Sequence, residues 1–292
     1  MTQWPRAEHL ARPESGGSEP DEQGILKIVG IGPGLPQELT ARARRAIQTA
    51  DALYAAPLYQ KFLAQDGVLS DAAGSDGPPV IDSSRSEFET QAGRTFDRVA
   101  SGETVVHVSG GDPTVYGKSD LLVALAETEA RGEIPIEVIP GVTAALAGAA
   151  TLGAPLSNDF CTISLSTSRR EQAEIDRKLA AAAGAGFVIA LYNCWRSLDG
   201  AIETIREHRA DSVPVALLAD VGRSDRGRAD GGESVAVSTL GTAAEELSPE
   251  TPGTLAIVGT GNSRVLRPAG GGRPFLVTPR GDETVLQTDD PQ

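Results

Sequence analysis

The stretch VVHVSGGDPTVYG, residues 105–117, decides the fold, because an apolar run stops there at two glycines, an aspartate and a proline. Its valines have the β-branched character of a buried strand. Residues 109–113 then predict a tight loop at the carboxyl end of that strand, where open α/β sheets bind ligands. The glycines let the backbone approach a ligand, and Asp112 can accept hydrogen bonds from a ribose or an amine. A strand-to-helix turn with Asp112 as the helix N-cap is the plainer interpretation.

Two further segments repeat this pattern. IVGIGPGLPQELT (residues 28–40) and IPIEVIPGVTAALAGAA (residues 134–150) each show a β-branched run, a Gly/Pro turn and a helix-like stretch. One glycine-rich turn alone would be weak evidence. In this order the three loops resemble the GxGPG, GGDPxxYG and PGVTA loops of the tetrapyrrole (corrin/porphyrin) methylase family, and the resemblance covers residues 26–264. It implies the two-domain α/β fold of that family, the class III S-adenosylmethionine-dependent methyltransferases, with the cofactor in the cleft between two α/β domains.

Composition limits the class of protein. With 292 residues, of which 40% are hydrophobic, the chain is long enough for two modest domains. No apolar stretch reaches the roughly 18 residues of a membrane span and the N-terminus is polar, so we expect a cytoplasmic protein without a membrane partner. The net charge of -14 argues against a nucleic-acid partner. The two cysteines and three scattered histidines show no metal-ligand spacing, so we expect no metal site.

Strands and helices alternate along most of the chain. Thr40 is expected to cap the first helix, a small-residue helix is expected over residues 144–152, and the Gly/Asp/Pro-rich residues 67–79 predict an inserted surface loop. A proline and a change of pattern place the domain boundary after residue 154. The predicted segments are a disordered leader (1–24), an N-terminal α/β domain (25–154), a C-terminal α/β domain (155–265) and a flexible tail (266–292).

Motifs of the second half narrow the resemblance to one branch of the family. DFCTISLS (159–166), FVIALYN (187–193) and IVGTGNSR (257–264) are similar to the branch that methylates precorrin-3B, or cobalt-factor III, at carbon 17 with ring contraction. The resemblance implies an S-adenosylmethionine-dependent methyltransferase of cobalamin (vitamin B12) biosynthesis that acts on a tetrapyrrole as a homodimer. Three alternatives remain: another corrin carbon, the diphthamide or ribosomal RNA substrates of distant relatives, and a non-catalytic paralogue that binds cofactor or tetrapyrrole.

The resemblance also implies a cofactor site, carried over residue by residue. Thr143 and Ala144 are expected to hold the carboxyl or amino end of S-adenosylmethionine, and Tyr192 and Asn193 to face it from the second domain. The plainer alternatives are that Val115 and Tyr192 pack in a core and that Pro33 only shapes a turn. The expected cofactor-binding residues are Pro33, Gly110, Gly111, Asp112, Val115, Thr143, Ala144, Tyr192 and Asn193.

A proton-transfer residue is harder to assign. In this branch the segment after Ala-Pro-Leu reads Gly-His-Asp-Phe, whereas here residues 157–160 read Ser-Asn-Asp-Phe. Asn158 cannot titrate, so proton transfer falls to Asp159, to substrate carboxylates or to water. Asp159 is therefore the candidate catalytic residue. His107, inside the central strand, is expected to be a packed residue.

A dinucleotide-dependent oxidoreductase also has alternating strands and helices. The first loop, GIGPG at residues 30–34, lacks the GxGxxG spacing of that class. Pro33 also has no amide to offer a pyrophosphate. The sequence therefore disfavours this class.

Overall fold

A computed structural model describes residues 24–69, 78–83, 86–129, 131, 134–223, 232–249, 253–268 and 272–281. The predicted leader lies outside the described residues except for its last position. Most of the predicted surface loop and the end of the predicted tail also lie outside them. The helices described are α1 Ala41–Gln48, α2 Pro57–Gln65, α3 Phe88–Ala100, α4 Ser119–Thr128, α5 Ala144–Leu152, α6 Gln172–Gly184, α7 Leu198–Arg206 and α8 Ala243–Glu246.

The strands alternate with these helices in the first half and cluster more densely in the second. They are β1 Ile25–Gly30, β2 Ala52–Ala55, β3 Val80–Asp82, β4 Thr104–Ser109, β5 Ile136–Ile139, β6 Gly153–Ala154, β7 Phe160–Ser164, β8 Val188–Tyr192, β9 Pro214–Ala219, β10 Ser234–Thr239, β11 Thr254–Val258, β12 Arg264–Leu266 and β13 Phe275–Val277. The α/β fold class predicted from the sequence is confirmed.

The first half is built on a parallel sheet. Its described strands run in the order β3-β2-β4-β1-β5, and all neighbours are parallel. A parallel sheet is covered on both faces, and here α1 and α2 pack on one face while α3 and α4 pack on the other. The predicted cap of α1 is confirmed, since the Thr40 hydroxyl accepts a hydrogen bond of 3.1 Å from the amide of Ala43.

His107 is packed in the centre of this sheet, as predicted. It is fully buried, its ring stacks on Tyr54 with 4.5 Å between ring centroids, and its Nε2 lies 2.7 Å from the Thr95 hydroxyl. Burial, and then the charge of Lys118, lower the pKa of His107 to about 3. The imidazole is therefore neutral at physiological pH.

The second half is built on a mixed sheet. Its described strands run in the order β10-β9-β11-β8-β7, and β7 and β8 are parallel while the other neighbours are antiparallel. One face packs against α6, α7 and α8. The other face packs against α5 and the small sheet β12-β13-β6. No helix in the described ranges is long and apolar enough to cross a membrane.

Helix α5 forms where it was predicted, but it packs with the second half. Its buried residues Ala145, Ala147 and Leu152 share a core cluster with strands β8, β9 and β11. By packing, α5 therefore goes with the second half, and the turn at residues 140–143 precedes it. The domain boundary after residue 154 stays a prediction. An alanine-rich helix offers no large side chain that would match it to one sheet, so its sequence did not indicate this packing.

The described part of the segment predicted as a flexible tail is ordered. Strand β13 pairs with β12 and with β6, and Leu276 is fully buried against the second-half sheet. The prediction of a loose tail is therefore wrong for residues 275–277. One buried leucine in a short strand gives too weak a pattern among glycines and prolines to be seen in the sequence.

Candidate active site

The three glycine-rich loops follow β1, β4 and β5, which are neighbours in the first-half sheet. Gly32 and Gly111 exchange two backbone hydrogen bonds of 3.2 and 2.8 Å, which join the first loop to the second. The Asp112 carboxylate accepts a hydrogen bond of 3.1 Å from the amide of Gly141, which joins the second loop to the third. The loops therefore form one connected edge at the carboxyl ends of the strands, where α/β sheets bind ligands.

Close approach of backbones explains the glycines in this edge. A Cβ atom at Gly141 would collide with the carbonyl oxygen of Gly111 and would lie 2.9 Å from the carbonyl carbon of Gly30. Gly111 itself has a φ of 67°, in the left-handed region that favours glycine. The motif glycines are thus required by the geometry of the edge itself.

Asp112 holds the second loop together. Its Oδ1 accepts hydrogen bonds from the amide of Thr114 at 2.8 Å and from its hydroxyl at 2.5 Å. The N-cap residue of α4 is Lys118, so the plainer interpretation of Asp112 as a helix N-cap is wrong. Five residues of irregular backbone separate Asp112 from that helix end, which the sequence pattern did not reveal.

A cleft between the two halves contains all nine residues expected to bind the cofactor. It encloses about 800 Å³ of space, including the part that is open to solvent. The expected residues in its lining are Pro33, Gly110, Gly111, Asp112, Val115, Thr143, Ala144, Tyr192 and Asn193. The sequence did not indicate the remaining lining residues, which are Tyr59, Tyr116, Val221, Arg223, Gly253, Thr254 and Leu255.

Tyr192 connects β8 to the start of α5. Its hydroxyl lies 2.6 Å from the hydroxyl of Thr143 and accepts a hydrogen bond of 2.8 Å from the amide of Ala145. The phenol thus satisfies one of the amides that have no partner within the first turn of the helix. Burial raises the pKa of Tyr192, so its hydroxyl stays protonated.

Asn193, the next residue, has a backbone that turns into the left-handed region with a φ of 56°. Asparagine tolerates this conformation better than most residues. Its side-chain amide donates a hydrogen bond of 2.9 Å to the hydroxyl of the buried Ser164. The end of β8 is therefore held in a fixed shape beside the cleft.

Tyr116 crosses the cleft from the first half. It lies in the GGDPTVYG loop with a φ of 53°, and its hydroxyl donates a hydrogen bond of 2.9 Å to the carbonyl of Thr162 in β7. Its ring is tilted against that of Tyr192, with 5.2 Å between centroids. The sequence motif contained this tyrosine, but nothing in its spacing showed that the side chain would reach the other half.

Asp159, the candidate catalytic residue, lies outside the cleft. It is exposed at the start of β7, where its carbonyl accepts a hydrogen bond of 2.9 Å from Val188 at the start of β8. In the strand register Ser164, at the other end of β7, pairs with Tyr192. Asp159 lies five strand residues, or about 16 Å, from the Ser164–Tyr192 pair that borders the cleft. Asp159 is thus not among the residues that line the cleft, and its catalytic role stays a prediction.

One family of known proteins matches most of this chain. The family described as Tetrapyrrole (Corrin/Porphyrin) Methylases matches residues 26–245. The chain belongs to this family. Among the described residues of this methylase, no group of three or more His, Cys, Asp or Glu side chains could hold a metal ion.

Two relatives and one solved structure are similar to this methylase over most of its chain. The precorrin-3B C(17)-methyltransferase of Sinorhizobium sp is 35% identical over 269 residues, which cover 88% of this chain and 96% of the relative. The cobalt-factor III methyltransferase of Priestia megaterium is 31% identical over 92% of this chain, which spans only 48% of that longer protein. The crystal structure of the methyltransferase CobJ matches with a TM-score of 0.72 and 25% identity, covering 88% of this chain and all of the other.

Proposed function

We propose that this methylase transfers a methyl group from S-adenosylmethionine to carbon 17 of a precorrin-3B or cobalt-factor III substrate, with contraction of the macrocycle, in cobalamin biosynthesis. The names of the two relatives support the substrate class. The observation that carries the proposal is the cleft: residues that are expected to bind the cofactor come from four separate segments, and all of them line one space. Chance placement of nine residues would not produce this convergence.

The residues of the cleft fit S-adenosylmethionine, which has an amino-acid end, ribose hydroxyls, an adenine ring and a sulfonium. Helix α5 begins at Ala144, and the first amides of a helix lack intrahelical partners, so they can bind the carboxylate. The Asp112 carboxylate already accepts three hydrogen bonds and keeps an acceptor position for an amine or a ribose hydroxyl. Tyr59, Tyr116 and Tyr192 offer flat apolar faces.

The residues of the cleft orient the methyl donor and contribute little acid or base chemistry. When bound, the donor supplies an electrophilic methyl group that a substrate carbon can attack without further activation. The joined loops of the first half and the end of β8 hold the donor in one orientation, which can lower the barrier by several kcal/mol. The raised pKa of Tyr192 keeps its phenol protonated, so it is a poor competing acceptor for the methyl group. Among the described residues that line the cleft, the titratable side chains are the Asp112 carboxylate, Arg223 and the phenols of Tyr59, Tyr116 and Tyr192. Proton removal is therefore assigned to substrate carboxylates, to water or to Asp159 outside the lining.

Arg170 is positioned to meet the carboxylates of a tetrapyrrole. Its guanidinium carbon lies 5.7 Å from the ring centroid of Tyr116, at the side of the cleft. A guanidinium pairs with a carboxylate through two parallel hydrogen bonds. In a chain of net charge -14, such a local cation would offset repulsion of a polyanionic substrate. We further propose a cytoplasmic homodimer, following the family expectation.

The test is anaerobic incubation of the purified protein with methyl-labelled S-adenosylmethionine and either precorrin-3B or cobalt-factor III. Mass spectrometry and absorbance of the tetrapyrrole would follow. A gain of one methyl group with a changed macrocycle spectrum, for either substrate, is the expected result. Cofactor binding by calorimetry without methyl transfer to either substrate would contradict the proposal and favour another corrin carbon or a non-catalytic paralogue.

A further inference from the structure

Arg223 is a cation of the second half that contacts the first half across the cleft. It follows β9, and its side chain is only 15% exposed. Its Nε donates a hydrogen bond of 3.2 Å to the carbonyl of Pro33 in the first glycine-rich loop. Its guanidinium carbon lies 5.9 Å from the ring centroid of Phe62 in α2. Both of these contacts belong to the first half of the chain.

Asp220 holds the guanidinium from its own half. The Asp220 carboxylate accepts a hydrogen bond of 2.8 Å from Nη1 of Arg223, and Asp220 is fully buried. The backbone of Asp220 is left-handed, with a φ of 47°, and its carbonyl accepts a hydrogen bond of 3.0 Å from the amide of Arg223. A strained backbone beside a site is kept only where the surrounding contacts determine it. The turn thus presents the arginine in one orientation.

The surroundings of Arg223 leave little freedom to its side chain. A Cβ atom at Gly34 would lie 2.7 Å from Cγ of Arg223, and a Cβ atom at Gly253 would lie 2.9 Å from its Nη1. Glycine at both positions therefore makes room for the arginine. The Arg223 side chain lines the cleft together with Pro33, whose carbonyl accepts its hydrogen bond.

We propose that Arg223 is a positioning residue that fixes the first glycine-rich loop against the second half and so sets the width of the donor cleft. The inference rests on the proposed function. A planar guanidinium can bond Asp220 and Pro33 at once, whereas a lysine ammonium is a point charge without this fork. Loss of the fork lets the Pro33 loop move away from the second half. The methyl donor, which is proposed to contact both sides of the cleft, then loses affinity and alignment, while the affinity for the tetrapyrrole is unchanged.

The experiment compares Arg223→Lys, Arg223→Ala and a control, Arg206→Ala, in the intact protein. Arg206 also pairs with an aspartate, at 2.9 Å from Asp211, but the pair is exposed at the surface of the second half. Steady-state kinetics would give KM for each substrate and kcat, calorimetry would give the affinity for S-adenosylmethionine, and thermal melts would show that each variant is folded. Addition of millimolar guanidinium to Arg223→Ala tests rescue of the lost group.

The inference predicts that Arg223→Lys raises KM for S-adenosylmethionine by about tenfold or more and leaves KM for the tetrapyrrole within about twofold. Guanidinium should restore part of the activity of Arg223→Ala, and Arg206→Ala should behave as the wild type. Unchanged donor affinity in Arg223→Lys would overturn the inference and leave the proposed function standing. A wild type that binds the donor without methylating a tetrapyrrole would overturn the proposed function, and the calorimetric comparison would still decide the role of Arg223.

Discussion

The two walls of the cleft are built in different ways. In the first-half wall the glycine-rich loops are held by backbone contacts: Gly32 and Gly111 exchange main-chain hydrogen bonds, and the Asp112 carboxylate joins Gly141 to them. One first-half side chain, Tyr116, crosses to the second half.

In the second-half wall side chains make more of the contacts: Arg223 donates a hydrogen bond to the carbonyl of Pro33 in the first loop, and Tyr192 joins β8 to the start of α5. An added side chain should disrupt the close backbone contacts of the first-half wall. Removal of one polar atom should disrupt the side-chain hydrogen bonds of the second-half wall. The substitutions below test this difference, from the largest expected effect to the smallest.

Gly141→Ala should have the largest effect, because its new Cβ would overlap backbone atoms of the two neighbouring loops. Backbone cannot move aside as a flexible side chain can, so we expect a loss of about 2–3 kcal/mol in the free energy of unfolding. Donor affinity should fall by about tenfold or more. Chemical denaturation and calorimetry would measure the two quantities.

Gly200→Ala is the matched control for this substitution. Gly200 lies in α7, and a Cβ atom there would have no neighbour within 4 Å. Alanine in a helix should stabilise the protein by up to about 1 kcal/mol. If Gly141→Ala were as stable as this control and bound the donor normally, the backbone-wall account would be wrong.

Tyr192→Phe tests the side-chain wall by removing a single oxygen. The amide of Ala145 and the hydroxyl of Thr143 would each lose their bond to that oxygen, and we expect a cost of about 1–2 kcal/mol in stability together with weaker donor binding. Tyr116→Phe should cost less, because Tyr116 is 43% exposed and water can replace its bond to Thr162. Equal losses for the two variants, measured by denaturation, would count against a special role of Tyr192.

His107 is buried in the central sheet of the first half and is not part of the cleft lining. The pKa of about 3 in the folded protein is below the usual value of 6.5 for histidine, so between pH 6.5 and 3 the unfolded chain binds a proton that the folded chain does not. The stabilisation is complete above pH 6.5 and is lost as the pH falls towards 3. The free energy of unfolding should therefore decrease by about 1.4 kcal/mol per pH unit from this group.

His107→Phe is expected to remove that pH dependence. The phenyl ring can keep the stack on Tyr54, and the Thr95 hydroxyl still donates to the carbonyl of Gln91 at 2.9 Å. Denaturation at several pH values between 7 and 4 would compare the slopes of the two proteins. Parallel curves for variant and wild type would show that His107 is not the titrating group.

Asp159→Asn should have the smallest effect. Asp159 is exposed and lies at the end of β7 that is remote from the cleft, so we expect kcat and both KM values to stay within about twofold of wild type. A general base in the reaction would instead cost a factor of about 100 or more. A loss of that size would show that Asp159, at the start of β7, takes part in the reaction.

The difference between the walls also explains what the sequence could predict. Glycines such as Gly111 mark the backbone wall directly, because its close contacts and positive φ admit few other residues. The reach of Arg223 depends on how the two halves pack, and a single arginine in a polar turn carries no such signal. The position of Asp159 relative to the cleft could not be predicted for a similar reason, since it is set by the register of β7 and β8.

Local structure was predicted well where the pattern was strong. Helix α5 has the predicted bounds, residues 144–152. The sequence did not predict α2, β3 or α8, which are short. Helix α2 opens with Pro57, a residue that also ends helices, and only Phe62 and Leu63 are buried in it. Which sheet α5 would join depended on tertiary packing that alanine side chains do not encode.

The most direct test of the account is a crystal structure of the protein with S-adenosylhomocysteine, the demethylated donor. The account predicts the ligand in the cleft, with its polar groups bonded to backbone of the first-half loops and with side chains of the second half, including Tyr192, on its other side. A ligand bound elsewhere, or held by one half alone, would contradict the claim that two walls of different construction hold the methyl donor.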